Sequence, residues 1–473
     1  MAVNNAVSVN MRRLMMFVIS LLVCLFLYVF YIQIITGDSL TNHPLNKRTD
    51  ILATRIERGA ILSADGARLA YSKKREDGTW QRDYPLGSAA AHVTGYTSSK
   101  YGLSGMEELY NIQLSGLANP GRKLGPAGKW LTNSAGATVI LTIDSNLQMA
   151  VWKALGNRRG AAVVIDPQTG AILAMISRPS FQPADIDTDW QTVTANPASP
   201  LLNRVTQGLY PPGSIIKPLV AEAALQERIT TAARTFQCDG QLKVGRDYVL
   251  HESNDQVHGK VDLQKALAVS CNVTFGQLAL QMGRSKLFNA YDKYGFSRST
   301  STELADAPGR LPDFDRLNDG DLVQMGIGQS SLLVTPLKMV LLAAAIGNKG
   351  IIMKPHIMQQ IQDSDGRILQ KQTADVWLTP ISPTSAATLT KMMVAVIDEG
   401  TGSQAAINGI KVAGKTGTAE NPHGADHSWF IGFAPAEEPK VAVAVIVENA
   451  GSGGLVATPI ARHILTAALN KGR

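Results

Sequence analysis

Pro211-Pro212-Gly213-Ser214-Ile215-Ile216-Lys217 is the stretch on which the reading of this 473-residue chain turns. A Pro-Pro-Gly stop before an apolar run predicts a helix over 214–227, with Ser214 at or just inside its N-terminus. There, free backbone N–H groups and the macrodipole favour developing negative charge. Lys217 lies three residues on, so its amine and the Ser214 hydroxyl share one helix face. A serine hydroxyl is a weak nucleophile until an adjacent base takes its proton. A lysine whose pKa has been lowered by burial can be that base. Alone, the pair is better read as a capping serine beside a solvated lysine.

Two further motifs change the balance. Ser270-Cys271-Asn272 follows the apolar stretch Leu263 to Val269 and sits in a turn between helices. Its hydroxyl can relay a proton toward a leaving amine, and its amide can bind a peptide group. Lys415-Thr416-Gly417-Thr418 lies inside a strand-like run, where a glycine marks close approach of another backbone or a ligand. Lys415 supplies positive charge, and the Thr416 and Thr418 hydroxyls suit a carboxylate. The backbone N–H groups of Ser214 and Thr418 are candidates for an oxyanion hole.

Around these motifs the periodicity predicts a hairpin (160–166 with 171–176) and helices at 214–227, 262–281, 335–348, 384–399 and 457–470. Strands return at 410–419, 428–434 and 440–448. Strands at both ends with helices between them imply an antiparallel sheet whose edges come from distant sequence, an α+β arrangement. Between 51 and 150 there are short strand-like runs, broken at Asp65-Gly66, Asp77-Gly78 and from Asn119 to Gly128, with one short helix candidate from Met106 to Leu114. This is a small mixed domain.

Leu14 to Thr36 carries no charge and is long enough for one membrane span. Arg12 and Arg13 precede it and the next basic residue is Lys47, which keeps the N-terminus in the cytoplasm and places the rest outside. The domains expected are therefore a tail (1–13), an anchor (14–36), a pedestal (37–150) and a catalytic domain (151–473). The hydrophobic share of 45% and charged share of 18% are those of a folded chain. The net charge of +7 comes from scattered residues, with no basic run to suit nucleic acid. Cys24, Cys238 and Cys271 show no metal-ligand spacing and read as free thiols, although a Cys238–Cys271 bridge is open in an oxidising compartment. His423 and His427 sit in a Gly/Pro-bearing loop with no third ligand. No metal or cofactor is expected.

The chain resembles the class B penicillin-binding proteins, monofunctional peptidoglycan transpeptidases of bacteria. The three motifs stand in that family's order. Further blocks also match: Arg58-Gly59-Ala60-Ile61, Gly102-Leu103-Ser104-Gly105-Met106-Glu107, Leu141-Thr142-Ile143-Asp144, Gly326-Ile327-Gly328-Gln329 and Val334-Thr335-Pro336. The resemblance implies the penicillin-binding and serine β-lactamase fold on a dimerisation-type pedestal. It implies Ser214 as nucleophile, Lys217 as base, and Ser270 and Asn272 as relay and binding groups. Lys415, Thr416, Gly417 and Thr418 would hold the substrate's carboxylate end. The implied substrates are D-Ala–D-Ala stem peptides, with β-lactams as covalent inhibitors and a membrane glycosyltransferase of the SEDS family as partner. A D,D-carboxypeptidase and a β-lactam-binding sensor are the alternatives on the same fold. Pro183-Ala184 after Pro179-Ser180-Phe181 departs from the family pattern. So does Leu250 or His251 where close relatives carry a second cysteine, which puts a disulfide in doubt.

Overall fold

The structure, a computed structural model, describes residues 2–32, 36, 57–116 and 136–470, except 247, 301, 302, 304 and 423. The first residues of the expected pedestal (37–50), the stretch from Asn119 to Gly128 and His423 lie outside these. The chain divides into two compact units, residues 1–57 with 74–81, and residues 58–73 with 82–473.

The first unit carries helix α1 (Ala2–Phe30). Its segment Val9–Phe30 has a mean hydropathy of 2.5 and buries nothing, so it is long and apolar enough to cross a membrane. It starts earlier than the apolar run alone suggested, because nothing from Ala2 to Arg13 breaks a helix.

In the second unit, Asp144 caps helix α2 (Ser145–Leu155) by accepting from Leu147 N. Strands β1 (Gly160–Ile165) and β2 (Ile172–Arg178) form the predicted hairpin. Three strands from the far end of the chain join it: β3 (Ala413–Ala419), β4 (His427–Ala434) and β5 (Val441–Val447). The antiparallel order is β3-β4-β5-β1-β2, which puts the Lys-Thr-Gly strand at an edge.

Both sheet faces are buried. Val163, Ile165, Ile431, Phe433, Ala444 and Ile446 belong to one core cluster. Their neighbours Val164, Phe430, Val443 and Val445 face the other, where they meet Leu147, Val151, Ile460 and Ile464. The motif helices follow in chain order: α3 (Lys217–Gln226), α4 (Leu263–Ala268), α5 (Asn272–Lys293), α6 (Pro336–Gly347) and α7 (Pro383–Asp398). Helix α6 is buried at every position from Pro336 to Ile346, as its all-round apolar sequence demands. The last helix is α8 (Ala457–Leu469), which packs on the second face.

Two predictions needed correction. The helix expected over 262–281 is broken, because Ser270 takes a left-handed conformation with φ +62°. Each of the two helices has its own N-terminal cap: Asp262 accepts from Lys265 N, and Cys271 Sγ from Thr274 N. The small N-terminal sheet also takes strands from outside its own stretch of sequence. Five of its six strands run in the order 368–371, 358–362, 138–141, 61–62, 68–74, with 61–62 parallel to 138–141. Behind it, Glu107 is fully buried between Arg58 (2.5 Å) and Arg82 (2.6 Å), joining two blocks that the sequence shows far apart.

Candidate active site

Ser214 stands not on the α-helix but on a 3-10 turn, Gly213–Ile216, that leads into α3. Pro218 explains the difference. It lacks the N–H that would bond back to Ser214 O, and Lys217 N takes that carbonyl instead, in the tighter i+3 pattern. Gly213 has φ +56°, and a Cβ there would fall 2.6 Å from Thr418 O. Its N–H donates to Gly328 O at 2.8 Å, and a Cβ on Gly328 would strike Gly213 O at 2.2 Å. The nucleophile turn is thus pressed between the edge strand β3 and the Gly326–Gln329 block.

Lys217 is completely buried, and its ammonium donates to Ser270 O (2.6 Å), Ser270 Oγ (3.2 Å) and Asn272 Oδ1 (2.7 Å). Asn272 turns its amide N–H to His251 O at 3.1 Å. Lys415, also completely buried, donates to Ser270 Oγ at 3.0 Å and to Thr416 O at 2.9 Å. The Ser270 hydroxyl oxygen therefore sits between two lysine ammonium groups. Both of its lone pairs accept, which leaves its own hydrogen free for a partner in the cleft. Ser214 Oγ, half-buried, has no hydrogen-bond partner among the described residues.

Burial lowers the Lys217 pKa to about 8, against the pull of the Glu252 carboxylate and the two nearby thiols. Lys415 is pushed well below the ordinary lysine value, first by burial and then by the charge of Lys217. Two ammonium groups sharing one hydroxyl in a dry site make loss of a proton from one of them favourable.

On β3, Gly417 is where another backbone comes close. A Cβ there would lie 2.8 Å from Ile215 Cγ2 and 3.2 Å from both Ile215 N and Pro212 O. The glycine lets the nucleophile turn seat on the strand. Thr416 is buried, and its hydroxyl pairs with Thr401 Oγ1 at 2.6 Å. Thr418 is exposed, and its hydroxyl accepts from Gly453 N at 3.2 Å.

Several supporting residues were given no role from sequence. Tyr210 exchanges both backbone hydrogen bonds with Val334 and donates its hydroxyl to Glu448 at 2.7 Å. Glu448 also receives the buried Arg204 at 2.7 Å. Trp429 Nε1 donates to Pro211 O at 3.0 Å, fixing the chain just before the nucleophile. His427 accepts from Asn449 N and meets Tyr210 edge-on, a structural arrangement. Thr401 could have been found only through its partner on β3, since nothing near it in sequence carries a motif.

The penicillin-binding protein transpeptidase domain matches residues 160–466, and the penicillin-binding protein A dimerisation domain matches residues 58–122. The chain belongs to the penicillin-binding protein transpeptidase family. Among its relatives is the peptidoglycan D,D-transpeptidase PbpA of Mycolicibacterium smegmatis, 34% identical over 98% of this chain and all of that one. The peptidoglycan D,D-transpeptidase MrdA of Escherichia coli is 30% identical over 81% of this chain and 70% of its own length. Among solved structures, the ceftriaxone acyl-enzyme complex of penicillin-binding protein A from M. tuberculosis superposes with a TM-score of 0.83. It is 32% identical, and the match covers 89% of this chain and all of that one.

Proposed function

We propose that this chain is a membrane-anchored serine D,D-transpeptidase that cross-links peptidoglycan through an acyl-enzyme on Ser214. The observation that carries the reading is the Ser270 hydroxyl held between Lys217 and Lys415 beside the Ser214 turn. Lys217, close to losing its proton, takes the hydrogen of Ser214 as Oγ attacks the carbonyl of a D-Ala–D-Ala stem end. The N–H groups of Ser214 and Thr418 receive the developing oxyanion. Ser270 gives its free hydrogen to the leaving D-Ala amine and is reprotonated from the lysine pair. An amine on a neighbouring stem then attacks the Ser214 ester, and the serine recovers its proton. Asn272 binds the stem peptide backbone. Lys415, Thr416 and Thr418, on the strand that Gly417 opens to the turn, hold the terminal carboxylate. A β-lactam presents its strained amide to the same nucleophile and stays as an ester.

In this reading residues 1–13 are the cytoplasmic tail, 14–36 the anchor, 37–150 the pedestal and 151–473 the transpeptidase domain, outside the bacterial membrane. The anchor would bring the chain to a SEDS-family glycosyltransferase that supplies nascent glycan strands. The full-length chain in detergent is expected to be labelled covalently by a fluorescent penicillin, and Ser214→Ala to abolish the label. Incubation with lipid-linked glycan strands should then yield cross-linked stem dimers. Label persisting in Ser214→Ala would overturn the nucleophile assignment. Release of D-Ala without dimers would replace the transpeptidase by a carboxypeptidase.

A further inference from the structure

The edge strand that carries Thr416 and Thr418 presents one more side chain to the cleft. Side chains alternate along an extended chain, and here exposed Thr418 and Glu420 flank the buried Ala419. Glu420 therefore projects on the side of Thr416 and Thr418, about 7 Å further along at the ordinary rise of a strand. Its place is fixed on both sides. Ala419 pairs with His427 in the ladder, and Asn421 Nδ2 donates to Asn449 Oδ1 at 2.6 Å. Yet the Glu420 carboxylate makes no hydrogen bond or ion pair among the described residues.

Across the cleft runs the strand Tyr248–His251, whose His251 O holds Asn272. The Tyr248 hydroxyl accepts from Gln324 Nε2 at 2.5 Å. Burial raises the Tyr248 pKa, the Gln324 bond opposes that rise, and the charges of Glu420 and Asp321 add to it. The field of Glu420 thus reaches the opposite wall. Asp321 is tied up there in a capping box with Asn318. Glu420 is the carboxylate left without a partner.

We propose that Glu420 is a specificity residue for the acyl donor, favouring a basic side chain on the residue that precedes the D-Ala–D-Ala pair. The inference rests on the transpeptidase reading above, in which Thr416 and Thr418 take the terminal carboxylate and Thr418 N–H takes the oxyanion. Those two anchors set the direction of the donor. Its last residue lies toward Thr416, its scissile carbonyl at Thr418 N, and the preceding residue emerges toward Glu420, antiparallel to β3 as in strand addition. A long side chain ending in an ammonium meets the free carboxylate there, and the phenol ring of Tyr248 also favours a cation. A carboxylate at the same place meets like charge. The amine side of the reaction lies elsewhere. Leaving and incoming amines share the position beside Ser270 Oγ, which Lys217 and Lys415 hold. Glu420 discriminates between donors and leaves the choice of acceptor alone.

The test uses the full-length chain in detergent and three penicillins on one scaffold. Ampicillin carries an ammonium on its side chain, carbenicillin a carboxylate in its place, and benzylpenicillin neither. In each, the side chain stands where the donor residue before the scissile amide would stand. Glu420→Gln should slow Ser214 acylation by ampicillin about 2- to 5-fold and speed it by carbenicillin to a similar extent, the usual worth of an exposed charge contact. Benzylpenicillin and Tm should not move. Glu420→Lys should carry both shifts further, and about 1 M salt should shrink them. A second arm follows single-turnover release of D-Ala from peptides ending in lysyl-D-Ala–D-Ala and in Nε-acetyl-lysyl-D-Ala–D-Ala. Glu420→Gln should slow the first about 2- to 5-fold and leave the second unchanged. Equal shifts for all three penicillins, or none, would overturn the proposal, and so would equal losses for the two peptides. Penicillins that sort by charge while neither peptide releases D-Ala would count against the transpeptidase reading and not against Glu420.

Discussion

Two of the charged centres buried in this molecule are built on opposite plans. Glu107 lies under the small sheet with its two oxygens on Arg58 and Arg82, a negative charge enclosed by two positive ones. Lys217 and Lys415 are buried as deeply, yet their hydrogen bonds go to a hydroxyl, an amide and backbone carbonyls, with no carboxylate among them. In the first centre the carboxylate has a guanidinium on each oxygen, and the group holds the structure together. The second keeps like charges dry and close, which is costly unless the protonation state is meant to change. Burial of charge alone does not mark a catalytic site. Burial of two like charges side by side, with no carboxylate between them, does.

The strongest way to break this comparison is to remove one charge from the second centre. Lys217→Met is expected to lower the rate of Ser214 acylation by about 10²- to 10⁴-fold, the usual worth of a general base. Its thermal unfolding should change little, because the variant also removes a buried charge that has a like charge beside it and no carboxylate in hydrogen-bond contact. A large fall in Tm with acylation intact would make Lys217 a structural residue and the comparison false.

The matching change in the first centre should do the reverse. Glu107→Ala leaves Arg58 and Arg82 buried without their partner, and breaking such a pair costs about 3–5 kcal/mol. The expected result is a clear fall in Tm, with fluorescent-penicillin labelling per folded molecule within a few-fold of the parent. Labelling that disappears while the fold persists would mean that the small sheet controls the cleft.

These two centres also differ in how far sequence could reveal them. Ser214, Lys217, Ser270, Asn272 and Lys415 were legible because order and spacing along the chain carry the chemistry. The fold brings Lys217, Ser270, Asn272 and Lys415 into one hydrogen-bonded group. The Arg58–Glu107–Arg82 centre was hidden, since each residue alone looks like an ordinary surface charge and only long-range pairing buries it. The turn at Ser270 was expected between helices, but the left-handed serine that makes it was hidden. Apolar periodicity runs unbroken from Leu263 into α5, and a left-handed serine leaves no mark on it. The same break turns Cys271 back toward Cys238 and Glu252, which is why cysteine spacing gave no sign that these side chains meet. The strands at 358–362 and 368–371 were missed for a similar reason, because their partners lie at 138–141, far away in sequence.

The gentlest test titrates both centres at once. Burial lowers the Lys217 pKa to about 8, so the fraction able to accept the serine proton grows with pH up to that point. Acylation should rise about tenfold per pH unit between pH 6 and 8 and then level off, since each unit below the pKa costs a factor of ten in neutral amine. Glu107 behaves in the opposite sense. Burial alone would raise its pKa, but the charges of Arg82 and Arg58 outweigh it and hold the carboxyl below its ordinary 4.5. A depressed carboxylate adds stability that is present in full above that ordinary value and is lost only as pH falls toward the folded one. Across pH 6 to 9 its contribution to Tm should therefore stay level while the labelling rate climbs. Stopped-flow labelling and thermal unfolding at the same series of pH values measure both. A Tm that rose in step with the rate would tie the acylation profile to global stability rather than to Lys217, and the two centres would no longer be separate.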